Sequence, residues 1–326
     1  MTTEAVVDET MWDGSLHAST LGTFMNRPRV AAKAAALREA GAQVAFLGFP
    51  WDGTCISRTG TNFGAKGLRE ASEQFLLYNA STGMDLSAHF RIVDCGDVAI
   101  VPGNSIATQA RAEQTVAELL AADVIPVIGG GDHSITIGPA RAFAKKYARC
   151  GMIHFDTHLD TATDVGGETL NHCCPIARAV DAGFHPDNIV TIGPSGWMNP
   201  RSELAYVKEK GIHLFTLEDV WALGVEEIAK RAVAFASRNV DAVYLTVDID
   251  VMDAAYAPGT GVPTPCGMTP REIIGIISRL SAAPIKAIDL AEVSPPWDPS
   301  GITSRLGMRI LLEALAAAAG GHRTLA

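Results

Sequence analysis

Short apolar runs recur along the chain at 44–48, 124–128, 152–155, 189–192, 242–247 and 285–290. Each is rich in Val, Ile, Leu or Phe, as expected of strands covered on both faces. Between them, apolar positions at helical spacing predict helices over 29–40, 106–122, 135–147, 225–237, 270–280 and 306–318. Strands alternating with helices predict an α/β fold with a central parallel sheet. No internal repeat or low-complexity linker interrupts the pattern. It predicts one domain over 29–319, an N-terminal arm over 1–28 and a tail over 320–326.

Composition narrows the function classes. The chain has 326 residues, of which 48% are hydrophobic and 19% charged, a globular balance with ample core. Lys and Arg total 26 against 36 Asp and Glu, a formal net charge of −10. That argues against a nucleic-acid partner, because binding to phosphates needs clustered cations. No run approaches the roughly 20 apolar residues of a membrane span. The first twenty residues are polar and acidic, without the pattern of a leader. Six cysteines without paired spacing point to free thiols, and hence to a cytoplasmic protein.

The chemistry gathers where three apolar runs end. The run 124–128 leads into Gly129-Gly130-Gly131-Asp132-His133-Ser134. The run 152–155 leads into Asp156-Thr157-His158-Leu159-Asp160. The run 242–247 leads into Asp248-Ile249-Asp250-Val251-Met252-Asp253. In open α/β sheets, ligands bind beyond the carboxyl ends of the strands. If these segments stay extended, Asp156, His158 and Asp160 share one side, as do Asp248 and Asp250. Facing carboxylate arrays must take up protons or bind cations. Four negative charges, on Asp156, Asp160, Asp248 and Asp250, match two divalent ions, with His133 and His158 as neutral ligands. Oxygen donors with some imidazole favour Mn2+, with Ni2+, Fe2+ or Co2+ also accommodated. The glycine run lacks the Gly-Lys-Ser/Thr of a phosphate loop. Its expected task is to turn the backbone and bring His133 to the metals.

These motifs resemble the arginase/agmatinase (ureohydrolase) family, with further similarity at 48–69, Pro258-Gly259-Thr260-Gly261 and Asp289-Leu290-Ala291-Glu292-Val293-Ser294-Pro295. The likeness lies nearer the agmatinase branch than arginase. It implies a three-layer α/β/α sandwich, assembled as trimers or hexamers. It also implies a reaction that hydrolyses a guanidino compound to urea and an amine. One ion would take His133, Asp156, Asp160 and Asp248, and the other Asp156, His158, Asp248 and Asp250. Asp156 would bridge both and counts as catalytic. Glu292 would hold the guanidinium, and His172 would shuttle a proton or touch the substrate. Thr161 and Cys173 complete the expected substrate contacts.

The sequence departs from the family at four places. Cys173 stands where the family usually has Gly after the histidine, and Cys266 replaces another Gly. Ala254 and Ala65 stand where prolines are usual. Two glycine-to-cysteine changes predict a smaller, less polar pocket, suited to guanidine, an N-alkylguanidine or a biguanide. The alternatives are agmatine or a guanidino acid such as 4-guanidinobutyrate. Two further readings are a one-zinc deacetylase on a related fold and a non-catalytic subunit of a mixed assembly. Metal stoichiometry separates the first from a ureohydrolase, and the full ligand set argues against the second.

Overall fold

The computed structural model describes residues 22–321. In chain order its elements are α1 (Ala34–Glu39), β1 (Val44–Gly48), α2 (Gly64–Ser72), the hairpin β2 (Tyr78–Asn79) and β3 (Met84–Asp85), β4 (Ile92–Asp97), α3 (Ser105–Ala121), β5 (Ile125–Gly129), α4 (Ile137–Lys146) and β6 (Cys150–Phe155). They continue with α5 (Pro175–Ala182), β7 (Ile189–Ile192), α6 (Arg201–Lys210), β8 (His213–Phe215), α7 (Leu217–Ala236), β9 (Ala242–Asp248), α8 (Pro270–Ile277), β10 (Ile285–Ala291) and α9 (Ile302–Ala318). Eight strands form one sheet in the order β4-β1-β5-β10-β9-β6-β7-β8. Every pairing within it is parallel.

Alternate residues of each strand feed two cores. Phe46, Val127, Leu245 and Ile288 pack against Leu68 of α2, Ile228 of α7, Ile276 of α8 and Leu311 of α9. Leu47, Ile128, Met152 and Tyr244 pack on the other face against Val116 of α3, Phe143 of α4 and Ile176 of α5. These are the three layers expected. Each fully buried aliphatic side chain contributes about 1.5–3 kcal/mol, so the doubly covered central strands are the most strongly fixed frame in the molecule.

The differences from expectation have local causes. Strand β4 carries Asp94 and Asp97, which break its apolar run. Buried Asp94 is tolerated because Arg69 clamps it through Nε at 2.7 Å and Nη2 at 3.0 Å. The helix expected from 29 starts at Ala34, because Arg29 forms an isolated parallel bridge with Asp94. Helix α7 starts earlier than expected, with a capping box between Thr216 and Asp219, and Gly224 at φ 79° breaks its backbone. Helices α2, α5 and α6 lack a long apolar period. Most of the expected arm lies outside the described residues. Its end, however, is folded in: Phe24 stacks on Phe46 at 4.3 Å, and its N–H donates to Asp94 at 2.7 Å. Of the expected tail, only Gly320 and Gly321 are described.

The sheet register sets up the site. Leu290 pairs with Gly129, Ala291 with Asp248, and Phe155 with Val247. The carboxyl ends of β5, β10, β9 and β6 therefore lie side by side, and the motif-bearing loops leave the sheet at one edge.

Candidate metal centre and substrate cleft

The glycine loop after β5 is forced by close packing. A Cβ on Gly130 (φ 85°) would lie 2.2 Å from the Ala65 nitrogen, and one on Gly131 (φ 89°) 2.5 Å from the Phe49 carbonyl. Asp132 then caps a short 3-10 helix, His133–Thr136, by accepting the Ser134 N–H. It is itself held by the Thr54 N–H and hydroxyl at 3.0 and 2.9 Å. His133 is thereby aimed at the ends of β6 and β9.

The two aspartate motifs converge by turning, not by staying extended. Asp156 accepts the His158 N–H at 2.6 Å, and Asp248 accepts the Asp250 N–H at 2.8 Å. Asp160 sits at φ 48°. The expectation of strand alternation through these motifs is corrected: side-chain-capped turns gather the ligands. His133 Nδ1 lies 3.0 Å from Asp156 Oδ2, 2.8 Å from Asp160 Oδ2 and 3.3 Å from Asp248 Oδ2. His158 Nδ1 lies 3.3 Å from Asp156 Oδ1 and 3.1 Å from Asp250 Oδ2. Two nests thus share Asp156.

The electrostatics of this cluster call for cations. Burial, reinforced by the Asp156 charge, pushes Asp160 up to about 7. Burial also raises Asp250 to about 7, with His158 pulling the other way. Asp248 is driven well above the carboxylate range by burial, then by Asp250 and Asp156. Burial works against the Asp156 charge as well, but hydrogen bonds from His133, His154 and His158 outweigh it and hold that carboxyl well below its usual value. Asp250 Oδ1 is buried without a hydrogen-bond partner. Buried carboxylates left unneutralised, with an orphaned oxygen and two imidazoles, fit a pair of divalent ions bound through O and N donors.

A second layer supports the first. His133 Nε2 lies 2.9 Å from Thr246 Oγ1, which is 3.3 Å from Thr136 Oγ1. Thr136 and Tyr244 both donate to buried Asp289 at 2.8 Å. Such contacts fix the tautomer and orientation of an imidazole ligand. His154, the first residue of the motif 154–160 and given no role from sequence, contacts Asp156 Oδ2 through Nε2 at 3.0 Å and Thr191 through Nδ1 at 3.2 Å. Its place two residues before Asp156 on β6 was the available signal.

A cavity of about 320 Å3 opens beside the nests, and Glu292, His172, Cys173 and Glu203 line it together with His158 and the aspartates. Glu292 follows β10 at φ 60°, anchored by its N–H to the Gly131 carbonyl at 2.8 Å. Its Oε1 accepts the His133 N–H at 3.1 Å and faces His172 Nδ1 at 2.9 Å, while Oε2 is buried and unpartnered. His172 Nε2 accepts the Ile56 N–H at 3.3 Å, so Nδ1 carries the proton toward Glu292.

The two remaining expected contacts, Cys173 and Thr161, and the pocket-narrowing Cys266 are placed differently from one another. Cys173 lies on the cavity wall. Thr161 does not: it is buried, and its N–H and hydroxyl donate to Glu203 at 2.9 Å (side chain) and 3.2 Å (backbone). Thr161 therefore acts through Glu203, a half-buried cavity residue in the first turn of α6 that no local pattern announced. Cys266 is exposed, at φ 60°, and is absent from the cavity wall. It cannot narrow the pocket, so half of the argument for a constricted site falls.

Residues 42–317 match the model of the arginase family. The chain belongs to the arginase family. It is 34% identical over 278 residues to the mitochondrial guanidino acid hydrolase of Homo sapiens, covering 85% of this chain and 78% of that one. It is 33% identical over 276 residues to the mitochondrial agmatinase of Gallus gallus, covering 84% and 81%. The structure superposes on proclavaminate amidino hydrolase from Streptomyces clavuligerus with a TM-score of 0.84 and 30% identity, covering 93% of this chain and 99% of that one. As an arginase-family member the enzyme is a metal-dependent hydrolase acting on C–N bonds. Among the described residues, no helix is long and apolar enough to cross a membrane.

Proposed function

We propose that this arginase-family enzyme hydrolyses a guanidino compound with a neutral or cationic tail, of the agmatine type, to urea and an amine. The observation that carries this reading is one cavity that joins the buried His–Asp nests to the free Oε2 of Glu292. His133, Asp156, Asp160 and Asp248 would hold one divalent ion and Asp156, His158, Asp248 and Asp250 the other, with Mn2+ as the favoured metal and Ni2+ its competitor. Bound there, the pair would lower the pKa of a water so that hydroxide is supplied at neutral pH. The chain's own residues do the rest. Glu292 Oε2 accepts a guanidinium N–H, and its orientation is fixed by the His133 N–H on Oε1. His172 keeps a proton on Nδ1 at the same carboxylate, within reach of the departing amine.

Charge selects the tail. The wall carries Glu203, Glu292, Asp160, Asp248 and Asp250, and no Lys or Arg among its lining residues. Bound metal would neutralise the two aspartate–histidine nests but not Glu203, whose carboxylate Thr161 holds in place. A guanidino acid would bring a second carboxylate against it, whereas an ammonium or a neutral tail would not. The relatives named above include a guanidino acid hydrolase and an agmatinase, names that favour a tailed substrate over the bare guanidine expected from the cysteines and leave the sign of the tail to the charge of the wall. Cys173 alone still supports the small-guanidine reading. The expected trimer or hexamer belongs to this proposal, and sedimentation would test it.

The test is urea release by Mn2+- and Ni2+-loaded protein from agmatine, 4-guanidinobutyrate, arginine, guanidine, N,N-dimethylguanidine and metformin. Agmatine should lead. A clear preference for 4-guanidinobutyrate would overturn the charge argument, and a preference for guanidine or its alkyl derivatives would return the pocket to the small-substrate reading. Silence with every substrate, with two ions bound, would favour a subunit that needs a partner.

A further inference from the structure

We propose that Cys55, His172 and Glu292 form a third ion site, selective for a thiophilic divalent cation such as Zn2+, whose filling blocks the substrate position. One ligand atom from each residue lies within 4.8 Å of the other two. The three come from separate segments: the loop after β1, the loop before α5 and the turn after β10. Cys55 is a free, half-buried thiol whose Sγ donates to the Arg58 carbonyl at 3.1 Å. Sγ and Glu292 Oε2 face one space. A Cβ built on Gly261 would lie 3.7 Å from the sulfur and 3.1 Å from that oxygen. Glu292 Oε2 is the open ligand, buried and without a partner.

Donor chemistry separates this site from the metal nests. The nests offer oxygen and imidazole, which hold Mn2+ well, whereas a thiolate draws zinc. Zinc sits about 2.3 Å from sulfur and about 2.0–2.2 Å from nitrogen or oxygen, so tetrahedral ligands stand roughly 3.3–3.8 Å apart. Atoms at the 4.8 Å limit of the present spacing would have to close by about 1 Å to reach that geometry. Three protein ligands leave a fourth position open to the cavity. On binding, the thiol releases its proton to solvent, and the His172 proton moves from Nδ1 to Nε2 with loss of the Ile56 N–H contact, so that neutral imidazole ligates through Nδ1.

The consequence for catalysis rests on the function proposed above. With Oε2 taken, Glu292 cannot receive a guanidinium, and inhibition is competitive. The binding itself does not depend on that reading. Protein carrying its Mn2+ pair is titrated with Co2+ as a spectroscopic probe and then with Zn2+. Wild-type protein should take up a third ion, show thiolate-to-Co2+ absorption, and lose that absorption as Zn2+ displaces the cobalt. Cys55→Ala, with Cys55→Ser as the conservative second variant, should keep two Mn2+ and lose both the third ion and the band. Zn2+ should raise the wild-type KM at least tenfold at unchanged kcat, and the inhibitory concentration should shift at least tenfold in Cys55→Ala. No ion beyond two in the wild type overturns the proposal. So does a band that survives Cys55→Ala and vanishes in Cys173→Ala. If no guanidino compound yields urea, the ion count and the band still decide this proposal by themselves.

Discussion

The two ends of the cavity are built on different principles. At the metal end, ligands come in runs of close neighbours, and each run leaves a strand buried on both faces. At the substrate end, Cys55, His172 and Glu292 come from loops that meet only in the folded chain. Both ends hold buried carboxylates with an unpartnered oxygen, Asp250 Oδ1 in one and Glu292 Oε2 in the other. At the first, several carboxylates crowd together and need cations to stay ionised. At the second, a single carboxylate is held by one N–H and one imidazole, with its remaining oxygen free for a cationic substrate. One end is made to retain an ion and the other to exchange a ligand.

The largest expected effect would fall at the metal end. Asp248→Asn should strip at least one ion and cost on the order of a thousandfold in turnover, equivalent to about 4 kcal/mol of barrier. Metal analysis and urea release on the same sample check it. If turnover survives with both ions bound, Asp248 is not a ligand. At the substrate end, Glu292→Gln should lower kcat/KM roughly 10- to 100-fold, the scale of one charge-assisted hydrogen bond worth about 1.5–3 kcal/mol. Both ions should stay bound in that variant, and a parallel loss of metal would erase the distinction between the two ends.

This difference also explains how much was legible in sequence. The metal end could be read because Asp156, His158 and Asp160 lie within five residues, and because 152–155 and 242–247 announce the strands that deliver them. Even there, the geometric reason was mistaken, since side-chain-capped turns replaced extended backbone. Glu292 and His172 drew attention only through resemblance to a family. Cys55 and Glu203 carry no local signal, because their neighbours in space are more than a hundred residues away or on another element. Cys266 misled for the converse reason: a substituted motif position looks equally important whether it faces the cavity or solvent. Strand β4 was hidden by Asp94, whose burial depends on Arg69 from a different element.

Smaller effects would sharpen the boundary between the ends. Thr246→Val removes the oxygen beside His133 Nε2 without touching a ligand. It should weaken metal affinity by about 10- to 100-fold, seen as a raised activation constant for Mn2+, and leave the KM for substrate nearly unchanged. A shift confined to KM would place Thr246 in the service of the substrate end. Metal-stripped protein should also reveal the crowding through pH. Asp160 and Asp250 are pushed up to about 7 in the folded state, against about 3.9 when unfolded. The folded protein then binds more protons than the unfolded one between those values, so stability should fall as pH rises from about 4 through 7. Thermal unfolding of the stripped protein across this window should show the decline, and loading with Mn2+ should flatten it. A stripped protein whose stability rises with pH over this range would mean that the carboxylates are neutralised by something other than metal.

The most direct test is the number of divalent ions per chain after reconstitution with Mn2+ and removal of excess, measured on the wild type beside Asp248→Asn. The account predicts two ions in the wild type and a loss in the variant, because Asp248 is proposed as a ligand of both ions. One ion in the wild type, or two retained by Asp248→Asn, would contradict it.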